Sequence, residues 1–261
     1  MAKRHITDHH FDHYSPWRKR NLNRISMIHI NCDVGEGLHN EHLLMPFISA
    51  CSIACGGHAG DEQMMENVIT LAQQHNVLIG AHPSYPDSVH FGRASMNIPD
   101  NDLIKSIRDQ FNTLQRIAQH HQYPITHIKA HGALYNDIAK DKDRAFVYLE
   151  AISPFKKNCQ IFVPYQSIIA NEAIKQEFQI CYEAFADRNY NEDLSLVSRS
   201  QSNALITDAQ EAIQHIQLMK NNQLVNTISG KQVSIQADTF CVHSDTENAL
   251  DILKQIHTTF S

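Results

Sequence analysis

The feature that most constrains this chain is a regular alternation of short apolar segments with amphipathic helical patterns, starting at about residue 27. Nearly every apolar segment is followed by apolar residues at three- and four-residue spacing, which is the pattern of a half-buried helix. Strict strand–helix alternation predicts a parallel sheet with right-handed crossovers. The seven predicted strands cover residues 28–32, 53–55, 77–81, 127–130, 160–163, 179–184 and 237–242.

The alternating region spans about 235 residues, which suits an α/β fold of the TIM-like (β/α) barrel type with one strand fewer than eight. A doubly wound open sheet is the alternative. No G-x-G-x-x-G sequence opens a helix, and this weakens a dinucleotide-binding version of that alternative. We therefore predict a seven-stranded, distorted barrel.

Composition excludes several classes of function. The formal net charge of −6 gives no bulk electrostatic basis for binding nucleic acid or an anionic membrane. No apolar run approaches the roughly 20 residues of a membrane span. The six cysteines form no C-x-x-C pair, which favours buried thiols in a reducing compartment over disulfides. We expect a cytoplasmic protein that binds neither nucleic acid nor membranes.

Residues 1–26 differ from the rest of the chain in being basic and rich in histidine. They contain no apolar signal core, so secretion is not expected. We predict a poorly ordered extension, with a metal-binding or targeting tail as the alternative. Residues 27–261 are predicted to form a single domain.

Ionisable residues stand at six of the seven predicted strand ends. In a barrel these ends face one mouth, so their side chains are expected to converge there. The loop at 82–99 is long enough to suggest a function. Asp61 and Asp245 adjoin predicted helix starts, where capping explains them as well as catalysis does. The strand-end residues are Asp33, Glu36, His58, Asp61, His82, Lys129, His131, Glu183, Asp187, Arg188, Asp238, His243 and Asp245.

Histidines beside carboxylates suit general acid–base catalysis, because imidazole exchanges protons near neutral pH. Lys129 and Arg188 have the charge to hold a carboxylate or an oxyanion. Asp33, His58 and His82 are candidate ligands for a divalent metal that would activate water, with a metal-free proton-transfer network as the alternative.

Two motifs of nucleophilic and nucleotide chemistry do not occur in the sequence. Without a G-x-S-x-G elbow, attack by water is favoured over attack by a covalent enzyme nucleophile. Without the P-loop G-x-x-x-x-G-K-[ST], ATP chemistry would need a different site or another chain.

The strand-end motifs together resemble those of the LamB/YcsF family, in family order over residues 28 to about 260. The departures are Gly57 where an aromatic residue is usual, Ala130 in place of proline and Ser244 in place of glycine. None removes an ionisable group. The matching motifs are Asn31-Cys-Asp-Val-Gly-Glu36, Ile53-Ala-Cys-Gly-Gly-His-Ala-Gly-Asp61, Gly80-Ala-His-Pro-Ser-Tyr-Pro-Asp87, Phe91-Gly-Arg93, Lys129-Ala-His-Gly-Ala-Leu-Tyr-Asn136, Glu183-Ala-Phe-Ala-Asp-Arg188, Ser198-Arg-Ser-Gln201, Ala237-Asp-Thr-Phe-Cys-Val-His243 and Asp245-Thr246.

The resemblance implies a barrel like that of polysaccharide deacetylases. It also implies ATP-dependent ring opening of 5-oxo-L-proline to L-glutamate by a 5-oxoprolinase, in which the chain would be the A component of a complex with subunits B and C. ATP would be a co-substrate, and a divalent metal is possible. The residues that would handle protons and water are Asp33, Glu36, His58, Asp61, His82, His131 and Glu183. Those expected at the substrate are Arg93, Lys129, Tyr135, Asp187, Arg188 and His243.

Two other functions remain open from the sequence. One is a stand-alone, metal-dependent amidohydrolase or deacetylase acting on a sugar or another lactam, which would need no ATP. The other is a non-catalytic binding subunit that keeps the barrel without activity.

Overall fold

The computed structural model describes residues 28–260, and its centre is a closed barrel of seven parallel strands. Each strand pairs with the next along the chain, and the last pairs with both its predecessor and the first. This confirms the predicted TIM-like barrel. The barrel strands are β1 (Ile30–Val34), β2 (Ala50–Ala54), β3 (Leu78–His82), β4 (Ile125–Ile128), β5 (Gln160–Pro164), β6 (Ile180–Phe185) and, after the hairpin β7 (Leu224–Asn226) and β8 (Gln232–Ser234), β9 (Thr239–Cys241).

Helices surround the barrel, and their apolar faces supply its outer core. The longest buries Leu103, Ile107 and Phe111 at three- and four-residue spacing, as the sequence pattern predicts. Within residues 28–260 the α-helices are α1 (Glu41–Leu44), α2 (Glu62–His75), α3 (Asp100–His120), α4 (Gly132–Lys140), α5 (Lys142–Ile152), α6 (Ile168–Lys175), α7 (Ala209–Asn222) and α8 (Ala249–Phe260).

The barrel interior is filled partly by a histidine. A Cβ atom at Gly80 would lie 2.2 Å from the ring of His127, so the glycine in β3 leaves the space that this ring occupies. The ring stacks on Phe162 at 4.2 Å between centroids. Burial holds the pKa of His127 well below its usual value, so the ring is neutral and packs as a core residue.

The apolar spacing between the fourth and fifth strands predicts one helix, near residues 143–152, whereas the connection between β4 and β5 contains two. The additional helix, α4, begins at Gly132 with a φ of +57°. A Cβ atom there would lie 2.5 Å from the carbonyl oxygen of Gly92, so only glycine fits. The helix has only nine residues and begins at a poor helix former, so its pattern in the sequence is weak.

The predicted N-terminal extension, residues 1–26, lies outside the described residues. Across residues 28–260, no helix combines the length and the apolar character that crossing a membrane requires.

Candidate active site

The carboxyl ends of the barrel strands bring four charged or ionisable side chains together in the interior. Asp33 lies near the end of β1, His82 ends β3, Lys129 follows β4 and Glu183 lies in β6. Their relative exposures are 4%, 1%, 2% and 2%, so none of them is a solvated surface group. Burial of four such groups requires that they satisfy one another.

Lys129 sits between two carboxylates. Its Nζ atom lies 3.0 Å from Asp33 Oδ1 and 2.8 Å from Glu183 Oε1, and 3.2 Å from the Sγ atom of Cys241. Burial alone would lower the pKa of Lys129, but these neighbours raise it above its usual value. The ammonium is therefore charged and held by protein groups. Its expected role at the substrate stays a prediction.

A second cluster adjoins this one and consists of Glu36, His58, His82 and His131. Glu36 Oε1 lies 3.1 Å from both His58 Nε2 and His131 Nδ1. His131 Nδ1 lies 3.0 Å from His82 Nε2, which itself lies 3.4 Å from Asp33 Oδ2. The rings of His58 and His131 stack in parallel, with centroids 3.5 Å apart.

The environment of the second cluster separates the pKa values of its members. Burial lowers the pKa of His58 to about 4 and also lowers that of His131. Burial of His82 is outweighed by the Asp33 carboxylate, which raises its pKa. Burial of Glu36 is outweighed by its contacts with the His131 and His58 rings, which hold its pKa well below its usual value. The arrangement therefore has one anion, two weakly basic imidazoles and one more basic imidazole, which suits proton transfer.

The long loop between β3 and α3 forms one wall of this cluster. The ring of Phe91 meets those of His58 and His131 edge-on, at 5.2 and 5.4 Å between centroids. Gly92 has a φ of +61°, and a Cβ atom there would lie 3.0 Å from both histidines. The loop thus packs against the stacked rings and limits the access of water to them.

A cavity of about 380 Å³ opens beside the two clusters, and its lining includes three arginines. Arg93 and Arg199 both bind Asp245, at 2.6 and 3.1 Å, and keep exposed guanidinium surface at the rim. Arg188 is buried and donates to the carbonyl of Val197 at 2.6 Å. The rim is therefore cationic, while Arg188 fixes the segment that forms the opposite wall.

His243 lines the same cavity and is oriented by Asp187. The carboxylate of Asp187 accepts from His243 Nδ1 at 3.0 Å, from its backbone N–H at 2.9 Å and from Thr246 Oγ1 at 2.5 Å. Asp187 is fully buried, yet the His243 contacts keep its pKa below the usual value. With Nδ1 protonated, His243 Nε2 carries the lone pair.

The structure does not bring every predicted residue into the site. Asp61 is exposed and accepts from the backbone N–H of Met64 at 2.8 Å, so it caps α2. Asp238 precedes β9 and therefore lies at the amino end of its strand. Asp245 caps no helix and binds the two rim arginines. Tyr135 is buried and lines the cavity, and its expected role at the substrate stays a prediction.

Two contributors were missed in the sequence. Arg199 lies in a matching motif but follows no strand, so nothing local indicated that it would reach the cavity. Glu41 Oε1 accepts from the backbone N–H of Gly35 at 3.1 Å and so fixes the loop that carries Glu36. The positions of both side chains depend on the folded barrel, and neither residue belongs to a periodic pattern in the sequence.

The fold and the site define a class: parallel (β/α) barrels with a buried histidine–carboxylate site at the carboxyl mouth of the strands. Within it, the chain belongs to the LamB/YcsF family, whose model matches residues 28–261.

Relatives and a solved structure agree with this membership. The chain is 38% identical over 235 residues to a 5-oxoprolinase A subunit of Staphylococcus aureus (strain MSSA476), covering 88% of this chain and 94% of the relative. The protein of the same name from strain MW2 has the same identity and coverage. The crystal structure of a lactam utilization protein from Thermus thermophilus superposes with a TM-score of 0.83 at 28% identity, covering 89% of this chain and 96% of that one.

Proposed function

We propose that this chain is the A subunit of a 5-oxoprolinase, and that its barrel site takes part in the ATP-dependent opening of 5-oxo-L-proline to L-glutamate. The observation that carries the proposal is the 38% identity, over 88% of the chain, to proteins named as the A subunit of 5-oxoprolinase. The buried histidine–carboxylate clusters could transfer protons in such a reaction, and the cationic rim beside them could bind an anionic substrate.

The reaction needs help because a lactam is a resonance-stabilised amide. Transfer of the γ-phosphoryl group of ATP to the lactam oxygen would release ADP and make the carbon electrophilic. Water would then add to that carbon, and the C–N bond would break as the nitrogen takes a proton. A second water molecule would release phosphate and leave the γ-carboxylate. The overall change consumes ATP and two waters and yields glutamate, ADP and phosphate.

The site contains groups suited to the hydrolytic half of this sequence. His243 lines the cavity, and its Nε2 atom would take a proton from the attacking water. The same ring is placed to exchange a proton with the leaving nitrogen, because Asp187 orients it. Arg199 at the rim has the charge to hold the substrate carboxylate. Asp61, which caps a helix, has no part in this scheme.

Subunits B and C are proposed as the partners, and ATP as the co-substrate. The names of the relatives imply a complex of several subunits. The sequence lacks a P-loop, so the nucleotide site is proposed to involve a partner chain or a site of another type.

The test is glutamate release from 5-oxoproline by this chain assembled with subunits B and C, with and without ATP. Release should require ATP and this chain. Asp33→Asn should lower it by about 10²-fold or more, because the substitution removes the charge that faces His82. The matched control is Asp251→Asn, an exposed aspartate on α8, which should stay within about twofold.

Other outcomes decide between the alternatives. No release from a properly assembled complex would exclude the oxoprolinase proposal. Release by this chain alone without ATP would favour the stand-alone hydrolase. Full activity of Asp33→Asn in the complex would favour the non-catalytic role.

A further inference from the structure

The hydrogen bonds around two histidines fix which of their ring nitrogens carries a proton. His82 Nδ1 lies 2.8 Å from the carbonyl oxygen of Lys129, and His131 Nε2 lies 3.0 Å from that of Phe91. A carbonyl oxygen only accepts, so both of these nitrogens are protonated. In the neutral rings, His82 Nε2 and His131 Nδ1 therefore carry lone pairs.

These lone pairs converge with a carboxylate. His82 Nε2 and His131 Nδ1 are 3.0 Å apart, and His131 Nδ1 is 3.1 Å from Glu36 Oε1. His58 Nε2 approaches the same oxygen at 3.1 Å, and its Nδ1 is buried without a hydrogen-bond partner. Electron-pair donors packed this closely repel one another unless a cation or a shared proton lies between them.

The charge of the surrounding groups favours a divalent cation over a proton. Asp33, Glu36 and Glu183 are carboxylates whose side chains are at most 6% exposed, and the Lys129 ammonium contacts two of them, Asp33 and Glu183. Three anions and one cation leave a charge of −2. A proton on His82 balances one of these charges, whereas a divalent ion balances both.

The spacing of the donor atoms fits a known coordination geometry. Zinc binds nitrogen and oxygen ligands at about 2.0–2.1 Å in a tetrahedron, whose edges are then about 3.3–3.4 Å. The measured edges of 3.0, 3.1, 3.1 and 3.8 Å scatter around that length. All four donor atoms lie within 4.8 Å of one another. The backbone carbonyls that orient His82 and His131 act as the outer partners common at metal-bound imidazoles.

We propose that Glu36, His58, His82 and His131 form a binding site for a divalent first-row transition-metal ion of the zinc type. Three imidazoles and one carboxylate suit this class better than Mg²⁺ or Ca²⁺, which prefer oxygen ligands. The ligand set differs from the sequence prediction, because Asp33 is engaged by Lys129 through both oxygens. The metal site is independent of the proposed reaction, since binding is measured directly.

The test uses the full chain, purified without an affinity tag and stripped with a chelator. Co²⁺ is added, and both the metal content per chain and the visible absorption bands are measured. We expect one Co²⁺ per chain, displaced by Zn²⁺. Glu36→Gln and His131→Gln should each weaken binding by at least about 10²-fold, because loss of an outer partner alone costs 10- to 100-fold. Circular dichroism checks that each variant is folded, and Glu36→Gln is the milder of the two.

Two controls make the outcome specific. His215→Gln replaces a buried histidine on α7 and should bind one Co²⁺. The variant in which glutamine replaces His5, His9, His10 and His13 removes the histidines of the N-terminal extension and should also bind one. Loss of the metal in the extension variant, its retention in folded Glu36→Gln and His131→Gln, or no stoichiometric Co²⁺ at micromolar concentration would each overturn the proposal.

Discussion

Replacing Lys129 with methionine is expected to leave two carboxylates buried without their counter-ion. With an effective dielectric constant of about 20, the separations of 3.0 and 2.8 Å correspond to attractions of about 5.5 and 6 kcal/mol. Desolvation of the three ions opposes this by several kcal/mol for each ion. Breaking a buried pair costs about 3–5 kcal/mol, and we expect a loss of that size in the free energy of unfolding.

Urea unfolding at several pH values separates this effect from simple loss of packing. In Lys129→Met, burial and repulsion by the Glu183 carboxylate would raise the folded-state pKa of Asp33 above its unfolded value. A raised pKa contributes stability below the unfolded value, and this contribution is lost as pH rises through the folded value. The free energy of unfolding of the variant should therefore lie further below that of the wild type at pH 8 than at pH 5.

A double variant adds a second check. The double variant Lys129→Met/Glu183→Gln removes one of the two buried anions that have lost their counter-ion. It should therefore be more stable than Lys129→Met alone by about 1–2 kcal/mol. Lys254→Met, at an exposed position on α8, should stay within about 0.5 kcal/mol of the wild type. The charge argument would be refuted by a deficit in Lys129→Met that does not vary with pH, or by a double variant less stable than the single one.

Three further substitutions test other parts of the site. Asp187→Asn should lower kcat in the assembled complex by about 10²-fold with a smaller change in KM, because His243 loses the acceptor that sets its tautomer. Arg199→Gln should raise KM for the lactam about tenfold with kcat little changed, as expected for loss of one charged hydrogen bond to a bound anion. Gly57→Ala should lower the free energy of unfolding by about 1–3 kcal/mol in urea titrations, because its Cβ would lie 2.4 Å from Gln110 Oε1.

Each of these has a contradicting result. An Asp187→Asn variant with unchanged kcat would remove His243 from the proton-transfer scheme. Lys231→Gln breaks an exposed ion pair with Glu192 and serves as the control for Arg199→Gln, so equal effects on KM would argue against specific binding at the rim. A Gly57→Ala variant as stable as the wild type would show that Gln110 moves aside without cost.

The parallel strand–helix units could be predicted because their evidence is local. Each strand is a short apolar run, and each helix shows its own periodicity, so alternation alone implies parallel pairing. The closing of the sheet could not be derived in this way, since pairing of β9 with β1 depends on the accumulated twist and tilt of all seven strands. The missing signal at α4 is also physical, because this helix has only nine residues and begins at a glycine, which is a poor helix former.

The site was predictable where the carboxyl end of a strand carries the residue, as for Asp33, His82 and His131. It was not predictable where a carboxylate can either cap a helix or serve in the site. Asp61 accepts from the backbone N–H of Met64, three residues later, and so caps the helix. Asp245 instead binds Arg93, from a distant part of the chain. Sequence spacing permits either use in both cases, and the choice depends on which partner the folded backbone brings within reach.

Asp33 contacts both clusters, so a substitution in one cluster also changes the charges in the other. Its Oδ1 atom accepts from Lys129 at 3.0 Å, while its Oδ2 atom faces His82 Nε2 at 3.4 Å. A change at Lys129 therefore alters the charge that His82 experiences, and a cation on His82 would alter the charge that Lys129 balances. Because interacting groups titrate as a unit, roles within the clusters follow from paired substitutions rather than from single losses of activity.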